Sequence, residues 1–236
     1  MRTVILAGGQ GTRLKPYTLT LPKPLVPLGG EMPVLEVIIR QLRRQDVVHA
    51  TIAVSHLAHL IQAFFQDGCR WGMRIDYSVE TEPLGTIGPL LLLEDLPENF
   101  LVMNGDVLCD LDFQDFFRWH CAAGNDVSVS VHRRRQLVDF GVIHYDAGGR
   151  VTAFVEKPVY DYDVSMGVYA LNRRALQQVP RGRPYGFDEL MLDGLRAGLQ
   201  LGAKPFHGFW LDMGRPDDYE AANDRFAELK TRLGIA

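Results

Sequence analysis

This 236-residue chain has few cysteines, no positive net charge and no long apolar run. The three cysteines, Cys69, Cys109 and Cys121, are odd in number and form no CxxC or Cys/His motif, which disfavours a disulfide framework or a zinc site. The net charge is −4, and we interpret the Arg-Arg-Arg run at 133–135 as a solvated loop. No stretch approaches the ~20 apolar residues of a membrane span, and no secretory signal is recognisable. We therefore expect a cytoplasmic protein whose partners include neither nucleic acid nor a membrane.

Two common nucleotide-binding motifs are absent too. Nothing in the sequence matches the GxxxxGK[ST] pattern of a P-loop. The glycines after the first apolar run begin like GxGxxG, but Arg13 and Leu14 stand where the helix-packing glycine belongs, and Pro16 stops a helix from continuing. The sequence therefore disfavours dinucleotide binding.

The order of the apolar patterns predicts one three-layer α/β domain. Short apolar runs alternate with helical patterns in the first half, which is typical of parallel strands with crossover helices. The second half is richer in β-patterns, which are expected to add antiparallel or mixed strands to the sheet. The predicted strands are 3–6, 51–54, 74–77, 100–103, 127–131, 142–145, 151–155 and 164–170. The predicted helices are 35–42, 57–65, 85–93, 187–195 and a closing amphipathic helix at 219–233.

A glycine-rich loop follows the first predicted strand, and two cations follow the loop. Gly8, Gly9 and Gly11 leave the backbone N–H groups bare, so that an anion can approach them closely, and Arg13 comes two residues later. Lys23 lies between two prolines that each restrict φ, which predicts a stiff, extended segment. A structural turn and a surface lysine are the alternatives, but the two features together favour a phosphate site.

The stretch from Leu6 to Gly30, LAGGQGTRLKPYTLTLPKPLVPLGG, resembles the opening segment of the sugar-phosphate nucleotidyltransferases, LAGGxGTRLxPxTxxxPKPLxPxxG. The resemblance implies a mononucleotide-binding, Rossmann-like α/β/α fold that joins a nucleoside triphosphate to a sugar 1-phosphate and releases pyrophosphate. It also implies one domain, 1–236, with a nucleotide-binding half at 1–110 and a sugar-phosphate-binding half at 111–236. By this resemblance, Arg13 and Lys23 hold the phosphates and are catalytic together with Asp106. The loop residues that it assigns to the nucleotide are Leu6, Ala7, Gly8, Gly9, Gly11 and Thr12.

Two aspartates at predicted strand ends are candidate metal ligands. Asp106 follows the apolar run 100–103 and Asp212 follows the run 209–211, which places both at the carboxyl edge of the sheet, where open α/β folds bind ligands. Carboxylates are the ligands that Mg²⁺ prefers alongside phosphates, although a structural Asx-turn also explains an isolated Asn-Gly-Asp. Both stretches resemble motifs of the family, and the resemblance implies that Asp106 and Asp212 bind Mg²⁺ as the cofactor.

Residues of the second half are expected to bind the sugar 1-phosphate. Glu156 and Lys157 resemble the family's EKP element, whose glutamate accepts sugar hydroxyls and whose lysine contacts the phosphate, although Glu-Lys alone is commonly a solvated pair. Ser165 stands where the family usually has the asparagine of NxGxY, so the selectivity for the sugar can differ. The substrate-binding residues that the resemblance implies are Asn104, Gly141, Glu156, Lys157, Ser165, Gly167 and Asp212.

The nucleobase is expected to lie against the segment 80–86. Glu80, Pro83, Gly85 and Thr86 resemble a family region that reads the base edge, and a capped helix N-terminus is an alternative explanation of the glycine and threonine. SMGVY and FDELM resemble stretches of enzymes that use GTP with mannose 1-phosphate or a heptose 1-phosphate. The alternatives are dTTP, UTP or CTP with glucose or amino-sugar 1-phosphates, and, in a different class, a non-catalytic nucleotide-sugar-binding regulatory subunit.

No histidine is assigned to the chemistry. The reaction needs no general base, because a phosphate monoester is already an anionic nucleophile near pH 7. We therefore interpret His56, His59 and His207 as surface or core residues. The sequence leaves the oligomeric state open, with a homodimer as the default for such enzymes.

Overall fold

The structure is a computed structural model that describes residues 1–9, 11–214 and 216–235. Its strands are β1 (Arg2–Leu6), β2 (Pro27–Leu28), β3 (Met32–Pro33), β4 (His49–Val54), β5 (Arg74–Val79), β6 (Asn99–Asn104), β7 (Val107–Cys109), β8 (Val127–Leu137), β9 (Val142–Tyr145), β10 (Val151–Val155), β11 (Val159–Asn172), β12 (Leu201–Phe206) and β13 (Trp210–Asp212). Its α-helices are α1 (Val34–Arg44), α2 (Ala58–Phe65), α3 (Phe113–Ala123), α4 (Phe187–Ala197), α5 (Pro216–Asp224) and α6 (Phe226–Leu233). Short 3₁₀ segments lie at Thr12–Leu14, Tyr17–Leu19, Lys23–Leu25, Cys69–Trp71, Gly88–Leu92 and Arg173–Gln178. Within the described ranges, no helix combines the length and apolar character that crossing a membrane requires.

A seven-stranded sheet in the order β12-β8-β11-β6-β1-β4-β5 forms the middle layer. β1 is parallel to β4 and β6, and β4 is parallel to β5. β11 is antiparallel to its neighbours β6 and β8, while β12 is parallel to β8. Among the described strands of this sheet, only β11 therefore runs against the others. The expected mostly parallel sheet with added strands from the second half is confirmed.

Alternate residues of the central strands bury their side chains in two separate cores. Ile5 packs with α1, α2, α3, α5 and α6 on one face of the sheet, whereas Val4 packs with α4 and the 3₁₀ segments at 88–92 and 173–178 on the other. Successive strand residues point to opposite faces, so a strand that is apolar at both positions is buried between two layers. The molecule therefore has the three layers that the sequence predicts.

Helix α1 follows the predicted pattern. It begins after Pro33, which is extended, with φ of −60° and ψ of 149°. The four predicted apolar residues recur at the helical spacing and are buried in the core: Leu35, Ile38, Ile39 and Leu42.

Two predicted helices differ in the structure. The segment 85–93 contains only the 3₁₀ segment Gly88–Leu92. Gly85 lies outside it with φ of 79°, and a Cβ there would lie 2.7 Å from the Tyr185 carbonyl oxygen. The tail forms α5 and α6 instead of one helix. Asn223 Oδ1 accepts a hydrogen bond of 2.7 Å from the Gly29 N–H near this break, and asparagine and aspartate side chains favour backbone partners outside helices.

The arginine run at 133–135 is part of β8, so the predicted loop is wrong. Arg133 pairs with Asp163 and Arg135 with Asp161 of β11, at 2.6 and 3.0 Å. Both arginines lie on one face of the strand because side chains alternate. The cluster is exposed, as expected, and aspartates opposite two of its arginines balance part of its charge.

Candidate active site

A cavity of about 430 Å³ opens at the carboxyl ends of neighbouring parallel strands. The residues after β1 and β6 contribute to its wall, and so do Ser55 and Glu80, which follow β4 and β5. Open parallel sheets bind ligands at this edge. The predicted site residues in the wall are Leu6, Ala7, Gly8, Gly9, Lys23, Glu80, Pro83, Gly85, Thr86, Asn104 and Asp106. The wall also contains Pro24, Ser55, Pro89 and Gly105, which the sequence analysis did not identify.

The glycine loop is closely packed, and two of its glycines have no room for a side chain. A Cβ on Gly8 would lie 2.7 Å from Glu80 Oε1. Gly11 has φ of 62°, and a Cβ there would lie 2.9 Å from Thr18 and 3.1 Å from the side chain of Lys23. Thr18 Oγ1 also donates a hydrogen bond of 2.8 Å to the Gly11 carbonyl. Close packing thus brings the loop, the lysine and the glutamate together.

Arg13 lies beside the cavity rather than in its wall, as do Gly11 and Thr12, while Gln10 of the same loop is outside the described residues. The 3₁₀ segment Thr12–Leu14 turns the chain at this point. A Cβ on Gly214 would lie 3.3 Å from both terminal nitrogens of the Arg13 guanidinium. The arginine therefore approaches the segment that carries Asp212.

Four charged side chains converge next to the cavity. Lys23 Nζ and the Asp106 carboxylate form an ion pair. Burial raises the pKa of Asp212, the charge of Asp106 raises it further, and the positive charges of Lys23 and Arg13 act in the opposite direction. Two acidic and two basic groups from four separate parts of the sequence therefore lie within electrostatic range of one another.

Strand β13 positions Asp212. It pairs antiparallel with β7, the strand that follows Asp106, and the Met213 N–H donates to the Asp106 carbonyl at 2.9 Å. Trp210 Nε1 donates to the Met166 carbonyl at 3.0 Å, which ties β13 to the bulged part of β11. The Asp212 carboxylate itself accepts from the Gly214 N–H at 2.8 Å. The two aspartates are thus neighbours across a short strand pair.

Asp106 and Asp212 are candidate ligands of a divalent cation. Within residues 1–9, 11–214 and 216–235, no three or more His, Cys, Asp or Glu side chains are grouped as a metal site. Mg²⁺ commonly binds through one or two carboxylates and completes its shell with water and substrate phosphates. The pKa of Asp212 is raised by burial and by the negative charge of Asp106. Two carboxylates this close together concentrate negative charge, which a divalent cation such as Mg²⁺ would neutralise.

Asn104, Gly167 and Ser165 lie together at the second-half side of the cavity. Gly167 has φ of 74°, and a Cβ there would lie 2.6 Å from Asn104 Nδ2. Ser165 Oγ accepts from the Gly167 N–H at 3.3 Å and donates to the Tyr169 hydroxyl at 3.2 Å. Burial raises the pKa of Tyr169, and the charges of Asp106 and Asp212 add to this effect. Tyr169 is therefore close to both aspartates, although the sequence analysis gave it no role.

Gly141, Glu156 and Lys157 lie on the hairpin of β9 and β10 and do not line the cavity. A Cβ on Gly141 would lie 3.2 Å from Glu156 Oε2. Lys157, with φ of 43°, forms an ion pair with Asp139 at 3.0 Å. All three are exposed. The structure brings these predicted residues close to one another, outside the cavity wall that contains Asp106.

Glu80 is a buried carboxylate in the cavity wall. It is 9% exposed, and its Oε2 accepts a hydrogen bond of 3.0 Å from the Leu84 N–H. Burial raises its pKa, and this backbone hydrogen bond opposes the rise. Its Oε1 lies beside Gly8. The wall therefore holds a hydrogen-bond acceptor close to the loop.

Several known proteins are similar to this chain over most of its length. The family model described as Nucleotidyl transferase matches residues 2–228. Mannose-1-phosphate guanyltransferase beta-B of Xenopus laevis and mannose-1-phosphate guanylyltransferase catalytic subunit beta of Danio rerio are each 36% identical over 227 residues, which covers 93% of this chain. This chain spans 62% of the length of each of these relatives. The crystal structure of HddC from Yersinia pseudotuberculosis complexed with GMP-PN aligns with a TM-score of 0.72 and 28% identity, covering 95% of this chain and 99% of that one.

Proposed function

The chain belongs to the nucleotidyl transferase family, and from that premise we propose that it transfers the nucleoside monophosphate of GTP to mannose 1-phosphate or a heptose 1-phosphate, with release of pyrophosphate. The observation that carries the proposal is the convergence of Arg13, Lys23, Asp106 and Asp212 beside a glycine loop. A nucleoside triphosphate needs bare backbone donors and cations on one side and room for a base on the other, and the cavity offers both.

The reaction requires charge neutralisation and alignment. An anionic oxygen of the sugar 1-phosphate attacks the α-phosphorus and forms a new P–O bond, while the bond from that phosphorus to the bridging oxygen breaks and pyrophosphate leaves with the electron pair. No side chain has to remove a proton from the nucleophile, because a phosphate monoester carries about −1.5 to −2 charges near pH 7. The protein therefore contributes mainly position and electrostatics.

Lys23 and Arg13 supply the positive charge in this proposal. The Lys23 ammonium is held at the cavity by Asp106, and its side chain is 11% exposed. Removal from water strengthens its attraction for phosphate oxygens. Arg13 approaches from the side of Gly214 and can stabilise the negative charge that develops on the leaving group. The backbone of Gly8 and Gly9 lies in the wall, where a bare N–H can approach the nucleotide.

Asp106 and Asp212 would hold the divalent cation, for which Mg²⁺ is the proposed identity. When bound, the cation supplies positive charge that neutralises phosphate oxygens. The β7–β13 pair and the Met213 N–H bond to the Asp106 carbonyl hold the main chain of the two aspartates, so their side chains start from neighbouring positions. Tyr169 and Lys23 border the same two carboxylates.

Glu80 favours guanine as the base. A carboxylate only accepts hydrogen bonds, and the guanine edge presents two neighbouring donors, N1–H and the exocyclic amine. Uracil and thymine instead present one N–H between two carbonyl oxygens, which a carboxylate would repel. The names of the relatives, guanyltransferases, and the GMP-PN bound to HddC point in the same direction.

Glu156, Lys157 and Gly141 are the proposed contacts of the sugar 1-phosphate, together with Asn104 and the bulged segment around Ser165 and Gly167. The hairpin group lies outside the cavity wall, whereas Asn104 is part of it. We expect a bound sugar 1-phosphate to contact both groups.

We also retain the cytoplasm as the proposed compartment, since the three cysteines form no disulfide.

A crossed substrate screen tests the function. Purified protein with Mg²⁺ is given each of GTP, dTTP, UTP and CTP with mannose 1-phosphate, a heptose 1-phosphate or glucose 1-phosphate, and released pyrophosphate is measured. We expect turnover with GTP and one of the first two sugars, and much less with the other triphosphates. Release of pyrophosphate only with a pyrimidine nucleotide would contradict the base assignment, and no release with any pair would contradict the transferase proposal.

A further inference from the structure

Strand β13, which carries Asp212, is short. It pairs with β7 over the three residues Trp210–Asp212, and the two strands form a sheet separate from the seven-stranded one. A two-stranded pair is marginally stable in water unless other groups hold it. The position of the Asp212 carboxylate therefore depends on the contacts that fix the two ends of β13.

The Asp110 side chain fixes the first end of β13. Its Oδ1 accepts a hydrogen bond of 2.6 Å from the Phe209 N–H, and its backbone N–H donates to the Phe209 carbonyl at 3.1 Å. Asp110 directly follows β7, and Phe209 directly precedes β13. The second end is fixed by the Met213 N–H bond to the Asp106 carbonyl. Two aspartates thus flank β7, Asp106 on the side of Asp212 and Asp110 at the opposite end.

Arg232 of helix α6 binds the same carboxylate. Its Nε donates to Asp110 Oδ2 at 2.8 Å, and its guanidinium carbon lies 5.1 Å from the centre of the Phe209 ring. One arginine therefore contacts both partners, the carboxylate by a charge-assisted hydrogen bond and the ring by a cation–π interaction. The Asp110 side chain is 25% exposed, so water screens this pair less than a fully exposed one. We call Asp110, Phe209 and Arg232 the Asp110 clamp.

Helix α6 gives the arginine a fixed base. The apolar residues Phe226, Leu229 and Leu233 of this helix are buried in the same core as α1. Lys230 also pairs with Glu31 at 2.6 Å. Because close-packed interiors yield little, the backbone next to Leu233 is held in place. The Asp110 clamp therefore ties β13 to the core of the molecule.

We propose that Asp110 is a positioning residue for the divalent cation, because it holds β13 so that Asp212 lies beside Asp106. This inference rests on the proposed cation site. Asp110 follows Asp106 by four residues of extended chain, about 13 Å, which is too far for Asp110 to bind the same cation. Its effect on the cation passes through Phe209 and the strand. Without the clamp, Asp212 has more freedom to move away from Asp106, and the affinity for the cation falls.

Terbium binding tests the proposal without any substrate. Tb³⁺ is a hard cation that binds carboxylate oxygens, as Ca²⁺ and Mg²⁺ do. Trp210 lies two residues from Asp212 on the same face of β13, so excitation of its indole should sensitise the luminescence of bound Tb³⁺. The signal that Mg²⁺ displaces, and that Asp212→Ala abolishes, belongs to the proposed site. Titration of that signal gives the apparent Kd.

Two substitutions of Asp110 and one control are compared with the wild type. Asp110→Ala should raise the apparent Kd for Tb³⁺ at least about tenfold, the lower end of the usual effect of removing a group that supports a metal ligand. Asp110→Asn should raise it less, because the amide oxygen can still accept from the Phe209 N–H. Glu228→Ala should leave it unchanged, since Glu228 pairs with Arg225 on the exposed side of α6. In turnover, the KM for Mg²⁺ should rise in Asp110→Ala, with kcat at saturating Mg²⁺ close to the wild-type value.

Thermal melting of each variant separates a loss of folding from a loss of cation binding, and Asp110→Asn serves as the second variant if Asp110→Ala does not fold. An unchanged Kd for Tb³⁺ in a folded Asp110 variant overturns the proposal, and so does an equal increase in Glu228→Ala. A wild type that binds no Tb³⁺ overturns it together with the cation site. An inactive wild type that shows the expected Tb³⁺ affinities would contradict only the proposed transfer reaction.

Discussion

Replacing Glu80 with glutamine should raise the KM for GTP while preserving the shape of the cavity. The amide oxygen of glutamine can keep the hydrogen bond from the Leu84 N–H, which now goes to Glu80 Oε2. The amide NH₂ would then face the cavity beside Gly8. The N–H groups of guanine would then face the NH₂ of glutamine, a donor, instead of the carboxylate oxygen of Glu80, an acceptor. The base would thereby lose a charge-assisted hydrogen bond.

The size of the effect follows from that lost bond. A hydrogen bond to a charged group contributes about 1.5–3 kcal/mol, which corresponds to about a 10- to 150-fold increase in KM. We expect kcat to change less, because the base is remote from the phosphorus under attack. The preference for GTP over UTP should fall, because an amide NH₂ can donate to a uracil carbonyl.

Steady-state pyrophosphate release with varied GTP and UTP measures this change. Glu82→Gln is the matched control, because Glu82 is exposed and does not line the cavity. The control should keep the wild-type KM. Burial raises the pKa of Glu80, so loss of its charge should not lower the melting temperature. An unchanged KM for GTP in folded Glu80→Gln would refute the assignment of this carboxylate to the base.

Two further predictions concern the packing and the pH dependence of the fold. Gly8→Ala should lower the free energy of unfolding by about 1–3 kcal/mol in urea titrations, because its Cβ would lie 2.7 Å from Glu80 Oε1. Gly9→Ala is the control and should lower it by less than 1 kcal/mol, because a Cβ there would have nothing within 4 Å. Equal losses in the two variants would contradict the packing argument. Burial lowers the pKa of His120 to about 4, so the folded protein favours the neutral imidazole. This preference contributes fully to the free energy of unfolding above pH ~6.5. As the pH falls from there towards 4, on the order of 3 kcal/mol of that free energy is lost. Proton NMR of the imidazole should give a midpoint near 4, and a midpoint near 6.5 would contradict this.

The central strands could be predicted because parallel strands that are buried on both faces are short, continuous apolar runs. β1, β4 and β6 lie where such runs occur. β5, at the edge of the sheet, alternates polar and apolar residues instead. Helix α3 was not predicted, although its sequence carries two signals of a helix. Buried Phe113, Phe116 and His120 recur at the spacing of one helix face, with Asp115 and Arg118 between them on the other face. The Asp112 side chain accepts from the Asp115 N–H as an N-cap.

The candidate site could be predicted where it depends on strand ends. Asn104, Asp106 and Glu80 follow or end apolar strands, and parallel strands bring such residues to one edge. Ser55 occupies an equivalent place after β4, but a single serine carries no pattern that distinguishes it. Segment 23–25 was expected to be extended, whereas Lys23 begins a 3₁₀ turn after an extended Pro22.

The position of the hairpin could not be predicted. The turn at Asp146–Gly149 and both strands, β9 and β10, were expected, and the Gly149 N–H donates to the Asp146 carbonyl at 3.0 Å. Where a hairpin lies relative to the main sheet depends on distant contacts, because local turn residues fix only its internal register. The resemblance assigned Glu156 and Lys157 to the sugar 1-phosphate but did not indicate that they lie outside the cavity wall.

The central claim is that converging cations and carboxylates form the site of phosphoryl transfer. The most direct test is the turnover of Asp106→Ala in pyrophosphate release with GTP, mannose 1-phosphate and Mg²⁺, beside the exposed control Asp217→Ala. Turnover should fall by about 100-fold or more in the first variant and stay near the wild-type value in the second. A folded Asp106→Ala protein that works at the wild-type rate would contradict that claim.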